Sequence, residues 1–301
     1  MSAPPSILTF TGNLLAERTL EFSEWSAGRT QRALRESFQV GGKGINVAKM
    51  LHRLGLPAVA LCFPGGATGA ECAQWFFRQK FSHQVFPSGT PTRVGIVIRG
   101  GNQPETTFLA PDAIPDPASV RACADFLDAQ PGGCILAVCG SIPGWITPDF
   151  DPLRAAFGRW MARGTLVADS YGPPLAWLAT QPLALVKINA TELRPLFPSE
   201  PPATATSALL TRAVQTSPVR QWIVTDGAGP VWFCGAGGTP ASLQPPAVRE
   251  VSPTGSGDVL FACVLDALLL RGLPLADSVA QALPFAAANA AHPGIAEFPE
   301  P

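Results

Sequence analysis

The sequence predicts an α/β protein with a mainly parallel central sheet, helices on both of its faces, and a small β-sheet lid. Three observations lead there. From about residue 134 onward, short apolar runs alternate with segments of helical spacing, the rhythm of strand–helix–strand units. Two earlier stretches, about 19–40 and 85–109, break that rhythm and alternate imperfectly, as strands with one wet face do. The 301 residues are 47% hydrophobic and 14% charged, enough for one large domain, and no repeat or linker divides residues 1–301.

In chain order, residues 7–10 read as a strand leading into Thr11-Gly12-Asn13. Residues 19–25 and 31–40 form the first excursion, around Ser26-Ala27-Gly28. Gly41-Gly42-Lys43-Gly44 ends it, and apolar positions at 47, 50, 51 and 54 make 45–54 a helix that Gly55 closes. A buried strand at 58–63 and a helix at 70–79 flank the loop 64–69. Residues 85–86, 94–99 and 105–109 form the second excursion, and a helix spans 118–129. Strands then fall at 134–139, 165–169, 183–187 and 221–225, with helices at 148–162, 174–179, 190–196 and 204–214. Residues 231–234 and 242–243 read as a hairpin, and helices from 258 and over 276–291 end the fold. Such alternation implies a parallel sheet covered on both faces, with the excursions as a lid over its C-terminal edge.

With 21 basic and 22 acidic residues, nothing points to nucleic acid or an anionic membrane as partner. The seven cysteines form no Cys-x-x-Cys pair and several lie in apolar runs, as reduced thiols of a cytoplasmic protein do. Three histidines without paired spacing argue against a transition-metal site. Met1-Ser2-Ala3-Pro4-Pro5 lacks the parts of a signal peptide, and no apolar stretch approaches the length of a membrane span.

The chemistry gathers at glycine turns that open helices. Thr254-Gly255-Ser256-Gly257-Asp258 runs into the apolar stretch from Val259 to Leu270. A helix start of this kind offers free N–H groups and the positive end of a dipole, an anion site. Asp258 in its first turn, held ionised there, can take a proton from an attacking hydroxyl. An Asp that merely favours a helix start is the ordinary alternative. Gly41-Gly42-Lys43-Gly44-Ile45-Asn46 is a second such turn, with Asn46 able to bond hydroxyls. In Lys187-Ile188-Asn189-Ala190-Thr191-Glu192, Asn189 and Glu192 have capping-box spacing, and the segment alone favours a helix cap; the functional alternative is that they hold magnesium and its waters beside phosphates. Gly140-Ser141-Ile142-Pro143 and Thr225-Asp226-Gly227 follow strands at the edge where ligands bind. A Walker phosphate loop is absent, and Leu260 stands where a dinucleotide fingerprint needs its third glycine.

Together these segments resemble the ribokinase-like, or phosphofructokinase-B, sugar kinases. Gly41 to Ala48 and Thr254 to Asp258 match the family's two signatures in order, Asn189 to Glu192 its Asn-x-x-Glu motif, and Gly140 to Pro143 its Gly-Ser-Leu-Pro. Lys43 to Lys49 and Thr92-Arg93-Val94 look like the 1-phosphofructokinase and tagatose-6-phosphate kinase branch. The resemblance implies Asp258 as catalytic base, with the amides of Gly255, Ser256 and Gly257 stabilising the transferring phosphoryl group. It implies ATP bound near Lys187, Asn189, Thr225, Gly227 and Asn289, and Mg2+ served by Glu192 and, through water, Asn189. Asn13, Glu17, Gly41, Gly42, Lys43 and Asn46 would face the sugar, and Arg93 would hold the substrate phosphate. Arg29 and Arg32, beside the first excursion's turn, are both candidates for a second phosphate contact. The lid would close over the sugar and pair two copies. Glu17 stands where the branch has an aspartate, Leu109 replaces a lid asparagine, and Ser252-Pro253 replaces the Asp-Thr of ribokinases. The expected activity is ATP-dependent phosphorylation of a hydroxyl of a sugar phosphate, a ketohexose phosphate. A kinase of a free sugar or nucleoside and a non-catalytic binding relative are the alternatives.

Overall fold

A computed structural model describes residues 7–101 and 103–301. The residues read above for a leader, Met1 to Pro5, lie outside them. The chain opens with β1 (Ile7–Thr11), β2 (Leu15–Phe22), β3 (Arg35–Gly41), α1 (Lys43–Arg53), β4 (Ala58–Cys62) and α2 (Gly66–Arg78). It continues through β5 (His83–Val85), β6 (Arg93–Gly100), β7 (Thr106–Leu109), α3 (Pro117–Ala129) and β8 (Ile135–Gly140). Then come α4 (Asp151–Met161), β9 (Thr165–Ser170), α5 (Pro173–Leu178), β10 (Leu185–Asn189), α6 (Ala190–Leu193), α7 (Thr206–Thr216) and β11 (Gln221–Thr225). The hairpin of β12 (Val231–Gly235) and β13 (Ala241–Leu243) precedes α8 (Ser256–Val264) and α9 (Leu275–Ala290).

Among the described residues, nine strands build the large sheet in the order β13-β12-β11-β10-β9-β8-β1-β4-β5. It is parallel from β5 to β11 and antiparallel at β12 and β13. The α/β architecture expected from the sequence is the one observed. Every residue of β8 is buried, because helices cover both faces. Its side chains alternate between two cores: Leu136 and Val138 join one with Phe10, Phe157, Trp160 and Trp222. Ile135, Ala137 and Cys139 join the other with Val47, Val259, Phe261 and Val279. That second core explains why α8 lacks a polar face: it lies between the sheet, α1 and α9, and all its residues from Asp258 to Val264 are buried. The helix continues through a π-helical turn at Leu265–Leu270.

A second, four-stranded sheet has the order β3-β2-β6-β7. Leu14, Ala16 and Val40 at its base pack with Ile45, Ala48, Cys72 and Phe76 of α1 and α2. Two expectations change here. Residues 85–86 do not belong to this sheet: β5 pairs parallel with β4 and extends the large one. Phe86 packs against Phe63 and Phe126, and this buried aromatic contact outweighs the weak alternation of a three-residue strand. The strands of the first excursion also shift, to 15–22 and 35–41, because the polar stretch between them forms an exposed loop. No helix among the described residues is long and apolar enough to cross a membrane.

Candidate active site

The parallel strands end on one edge of the large sheet, and the functional side chains leave from there. The turn before α8 depends on Gly255, which has φ +79° and packs where a Cβ would lie 2.7 Å from Ile295 Cγ2. Asn289 holds this turn from α9. It donates to Thr254 O (3.0 Å) and Ser256 Oγ (3.1 Å) and accepts from the N–H of Ala296 (2.9 Å). The sequence puts Asn289 in the nucleotide pocket; at 1% exposure, with both ends of its amide engaged, it is instead a clamp on the anion turn. Gly257 has a further role. A Cβ there would fall 2.5 Å from Lys187 Nζ, so glycine lets the ammonium lie directly against the helix start.

Lys187 belongs to a buried ion cluster. It donates to Asp169 Oδ2 at 2.8 Å, and Lys43 donates to Asp169 Oδ1 at 2.7 Å. Lys43 also donates to Glu192 Oε1 at 3.0 Å. Burial works against both signs, yet Lys187 and Lys43 together hold the Asp169 carboxyl below its ordinary range. Burial likewise opposes the charge on Lys43, but Asp169, Glu192 and Asp258 outweigh it and keep the ammonium well above the ordinary lysine value. The sequence turns Lys43 toward the sugar; its stem does line the cleft, but its charge is committed to these carboxylates. Glu192 Oε2 accepts from the N–H of Asn189 (2.9 Å) and Asn189 Oδ1 from that of Glu192 (2.8 Å), so the capping box is formed.

Asp258, 5% exposed, accepts from Asn46 Nδ2 at 2.7 Å. The sequence expects the helix start to hold this carboxyl ionised. Burial and then the charge of Asp169 push it up to about 6, against the pull of Lys43, Lys187 and Asn46. It remains ionised at neutral pH and is a better proton acceptor for the shift. Asn46, expected at the sugar, gives its nitrogen to Asp258 and keeps a free oxygen.

Beside this cluster lies a cleft of about 90 Å³ lined by Thr11, Asn13, Gly42, Lys43, Arg93, Cys139, Gly140, Ser141 and Tyr171. Asn13 Nδ2 donates to Ser141 Oγ (3.0 Å) and to Asp112 Oδ1 (2.7 Å), and Arg93 Nη1 donates to the same oxygen (3.0 Å). Thr11 Oγ1, Asn13 Oδ1, Asn46 Oδ1 and Arg93 Nε are buried without a partner among the described residues. Buried polar atoms are seldom left so, and three of these residues, Thr11, Asn13 and Arg93, line the cleft, which suits a polar ligand. Glu17 accepts from Gln39 Nε2, and its Oε2 lies where a Cβ on Gly41 would come within 3.2 Å, while Gln39 Oε1 accepts from Lys49 Nζ at 2.8 Å. Thr225 ends β11 and Gly227 follows in an exposed turn with φ +54°.

Arg29 is not brought to the cleft within this chain. Gly41 and Leu15, paired at the near end of the small sheet, adjoin the site, whereas Arg29 is exposed in the loop joining the far ends of β2 and β3. At about 3.3 Å per residue, eight residues of β2 carry the chain some 23 Å from Leu15 before that loop begins. Three residues went unread in the sequence. Asp169 carries one available signal, an acid at the C-terminal end of a buried parallel strand. Asp112 carries none. Glu105, from the small sheet's last hairpin, carries none either; it accepts from Ser252 Oγ (3.0 Å) and Thr254 Oγ1 (2.8 Å) just ahead of the anion turn.

Residues 175–301 match the family described as pfkB family carbohydrate kinase. A 1-phosphofructokinase of Rhodobacter capsulatus is 31% identical over 290 residues, covering 93% of this chain and 88% of its own. A 1-phosphofructokinase of Borreliella burgdorferi is 26% identical over 258 residues, covering 85% and 82%. Among solved structures, phosphofructokinase-2 from Escherichia coli in complex with fructose-6-phosphate superposes with a TM-score of 0.85 at 21% identity, covering 95% and 94% of the two chains. Ribokinase from Thermotoga maritima gives 0.72 at 18%, covering 98% and 95%. A glycine-opened helix carrying an acid, a second glycine turn supplying its hydrogen-bond partner, and sequence identity running through most of both chains have one common source: the chain belongs to the pfkB family of carbohydrate kinases.

Proposed function

We propose that the protein transfers the γ-phosphoryl group of ATP to a hydroxyl of a ketohexose phosphate, as the names of its 1-phosphofructokinase relatives suggest. One observation carries the reading. Asp258, raised to about 6 and oriented by Asn46, stands at a helix start against which the Lys187 ammonium is packed. A base beside an anion seat is what phosphoryl transfer to an alcohol requires. The substrate hydroxyl gives its proton to Asp258, whose second oxygen bonds none of the described residues. The oxygen attacks the γ-phosphorus, the bond to the β–γ bridging oxygen breaks, and ADP leaves. The amides of Gly255, Ser256 and Gly257, with Lys187, receive the charge that develops.

Lys187, Asn189, Thr225 and Gly227 form the nucleotide side. Among the described residues no three ligating side chains cluster as a metal cage, and each Glu192 oxygen already has one donor. This donor set fits Mg2+ held chiefly by nucleotide phosphates and water, with Glu192 and Asn189 at its outer side. When bound, the ion neutralises charge on the phosphates. Glu17, Asn13, Gly41 and Gly42 face the sugar, and Arg93 takes its phosphate. Exposed Phe108 and Leu109 on β7 and Leu34 beside β3 support pairing of two copies through the small sheet.

The Arg93–Asp112 pair favours a second reading, a kinase of a free sugar or nucleoside, because the guanidinium already has an anion. An ADP-release assay with magnesium decides between them. It compares fructose 1-phosphate, fructose 6-phosphate and tagatose 6-phosphate with fructose, ribose and nucleosides. Turnover confined to the unphosphorylated compounds would overturn the first reading, and no turnover of any would overturn both.

A further inference from the structure

Arg93 and Asp112 are unequal partners. The arginine side chain is 11% exposed, and its strand is fixed in the small sheet, where β2 pairs with it throughout. The aspartate side chain is 57% exposed. It lies on the irregular chain between Ala110, whose N–H bonds Val94 O, and Asp116, which caps α3. Among the described residues, the backbone of 111–115 makes no hydrogen bond, so Asp112 is held by its side-chain contacts to Asn13 and Arg93. An anion that can leave without breaking backbone bonds sits on a cation that cannot move away.

The pairing is also incomplete. Asp112 takes only Nη1 of the fork, while Arg93 Nε remains buried without a partner among the described residues. A phosphate monoester carries about −1.5 to −2 charges at neutral pH and has three strong acceptor oxygens, so it can engage the fork at two points. A neutral sugar hydroxyl has no such advantage over a carboxylate. Resting on the sugar-phosphate reading above, we infer that Asp112 is a specificity-determining residue of the phosphate seat. Its carboxylate holds Arg93 and Asn13, and a substrate phosphate must win these donors from it. Were Asp112 to stay in place beside the phosphate, its charge would repel the newcomer, and its effect on affinity would have the same sign.

The test is kinetic. Asp112→Ala lowers the KM for the sugar phosphate about threefold to tenfold, the span between an exposed ion pair and a charge-assisted hydrogen bond. The gain lies in KM rather than kcat, and the KM for ATP stays put, which a general loosening of the fold would not achieve. In an Arg93→Ala background the same substitution changes the KM less than about twofold, since the contested donor is gone. Asp112→Asn, which keeps the shape, shifts the KM in the same direction by less. An unchanged or raised KM in Asp112→Ala overturns the inference, as it would if Asp112 bonded a sugar hydroxyl. Arg93→Ala alone separates the two claims: if it leaves the sugar-phosphate KM unchanged, the phosphate reading itself falls. If it raises that KM while Asp112→Ala fails to lower it, only the competition falls.

Discussion

Replacing Asp258 with asparagine should make the protein inactive and more stable together. The carboxyl stands at about 6 in the folded chain against its ordinary 3.8, roughly two units at about 1.4 kcal/mol each. Below about pH 4 both folded and unfolded chains hold the proton, and the group has no effect. As pH rises the unfolded chain ionises first, so stability is lost progressively through about pH 6. Above that the folded enzyme carries a penalty on the order of 3 kcal/mol. The substituted amide would have no charge to desolvate, and its carbonyl can still accept from Asn46. At pH 7.5 the variant should therefore gain about 2–3 kcal/mol, a rise in Tm of roughly 3–5 °C for a chain of this size. At pH 4.5 the gain should shrink to about 1 kcal/mol. Turnover should fall about 10²–10⁴-fold while nucleotide affinity changes little. In the unaltered enzyme, kcat/KM should decline as pH drops through about 6, where the base becomes protonated. Urea denaturation at the two pH values, with steady-state kinetics and nucleotide calorimetry, tests this. Turnover within tenfold of the native enzyme, or a stability gain independent of pH, would refute the reasoning.

Arg93→Ala should raise the KM for the sugar phosphate about tenfold to a hundredfold, leaving that for ATP unchanged, since a charge-assisted fork contributes roughly 1.5–3 kcal/mol. Initial rates over both substrates measure this, and equal effects on the two would count against a phosphate contact. Asp169→Asn should destabilise by about 3–5 kcal/mol, because Lys187 and Lys43 lose their shared counter-ion in a buried site. It should also move the acid limb of the rate profile downward, as one of the two causes raising Asp258 is gone; a limb that stays or moves upward contradicts this assignment. Glu192→Gln should raise the magnesium concentration needed for half-maximal rate. The melting temperature should fall, because Gln can still accept from the N–H of Asn189 but loses the ion pair with Lys43. An unchanged magnesium titration would leave Glu192 with its cap and its Lys43 contact alone.

The elements with strong periodicity or glycine punctuation are legible in the sequence, and so is the junction of α8 with its anion turn. An apolar stretch with no polar face has only one stable location, between the sheet and other helices. The errors share a cause: they depend on partners distant in sequence. Asn289 has the look of a pocket residue until Thr254 and Ser256, more than thirty positions earlier, are seen to take its amide. Asp169 is one strand-end acid among several until Lys43 arrives from 126 residues away. Nearness to a glycine turn ties Arg29 to the cleft, but sequence does not say which end of a hairpin meets the cleft. The Asn189–Glu192 pair shows the opposite case. Cap and functional group look like alternatives, yet Glu192 both caps α6 and meets Lys43. Local spacing finds the first role, and the second exists only in three dimensions.

The seven cysteines are all buried, and they are distributed through the molecule. Cys62 and Cys72 lie under the small sheet, Cys123, Cys134 and Cys234 in one face of the large sheet, Cys139 and Cys263 in the other. Burial raises the Cys72 and Cys263 thiols to about 12, so the reactive thiolate is nearly absent at these two. Oxidants and alkylating agents therefore find little to attack until some region opens, and whichever layer opens presents a thiol of its own. Once converted to a sulfinate or sulfonate, that side chain brings a charge the apolar layers cannot reabsorb. Chemical ageing and structural failure are thus joined in one direction. The molecule resists oxidation for as long as it stays folded, and each lapse carries the risk of becoming permanent.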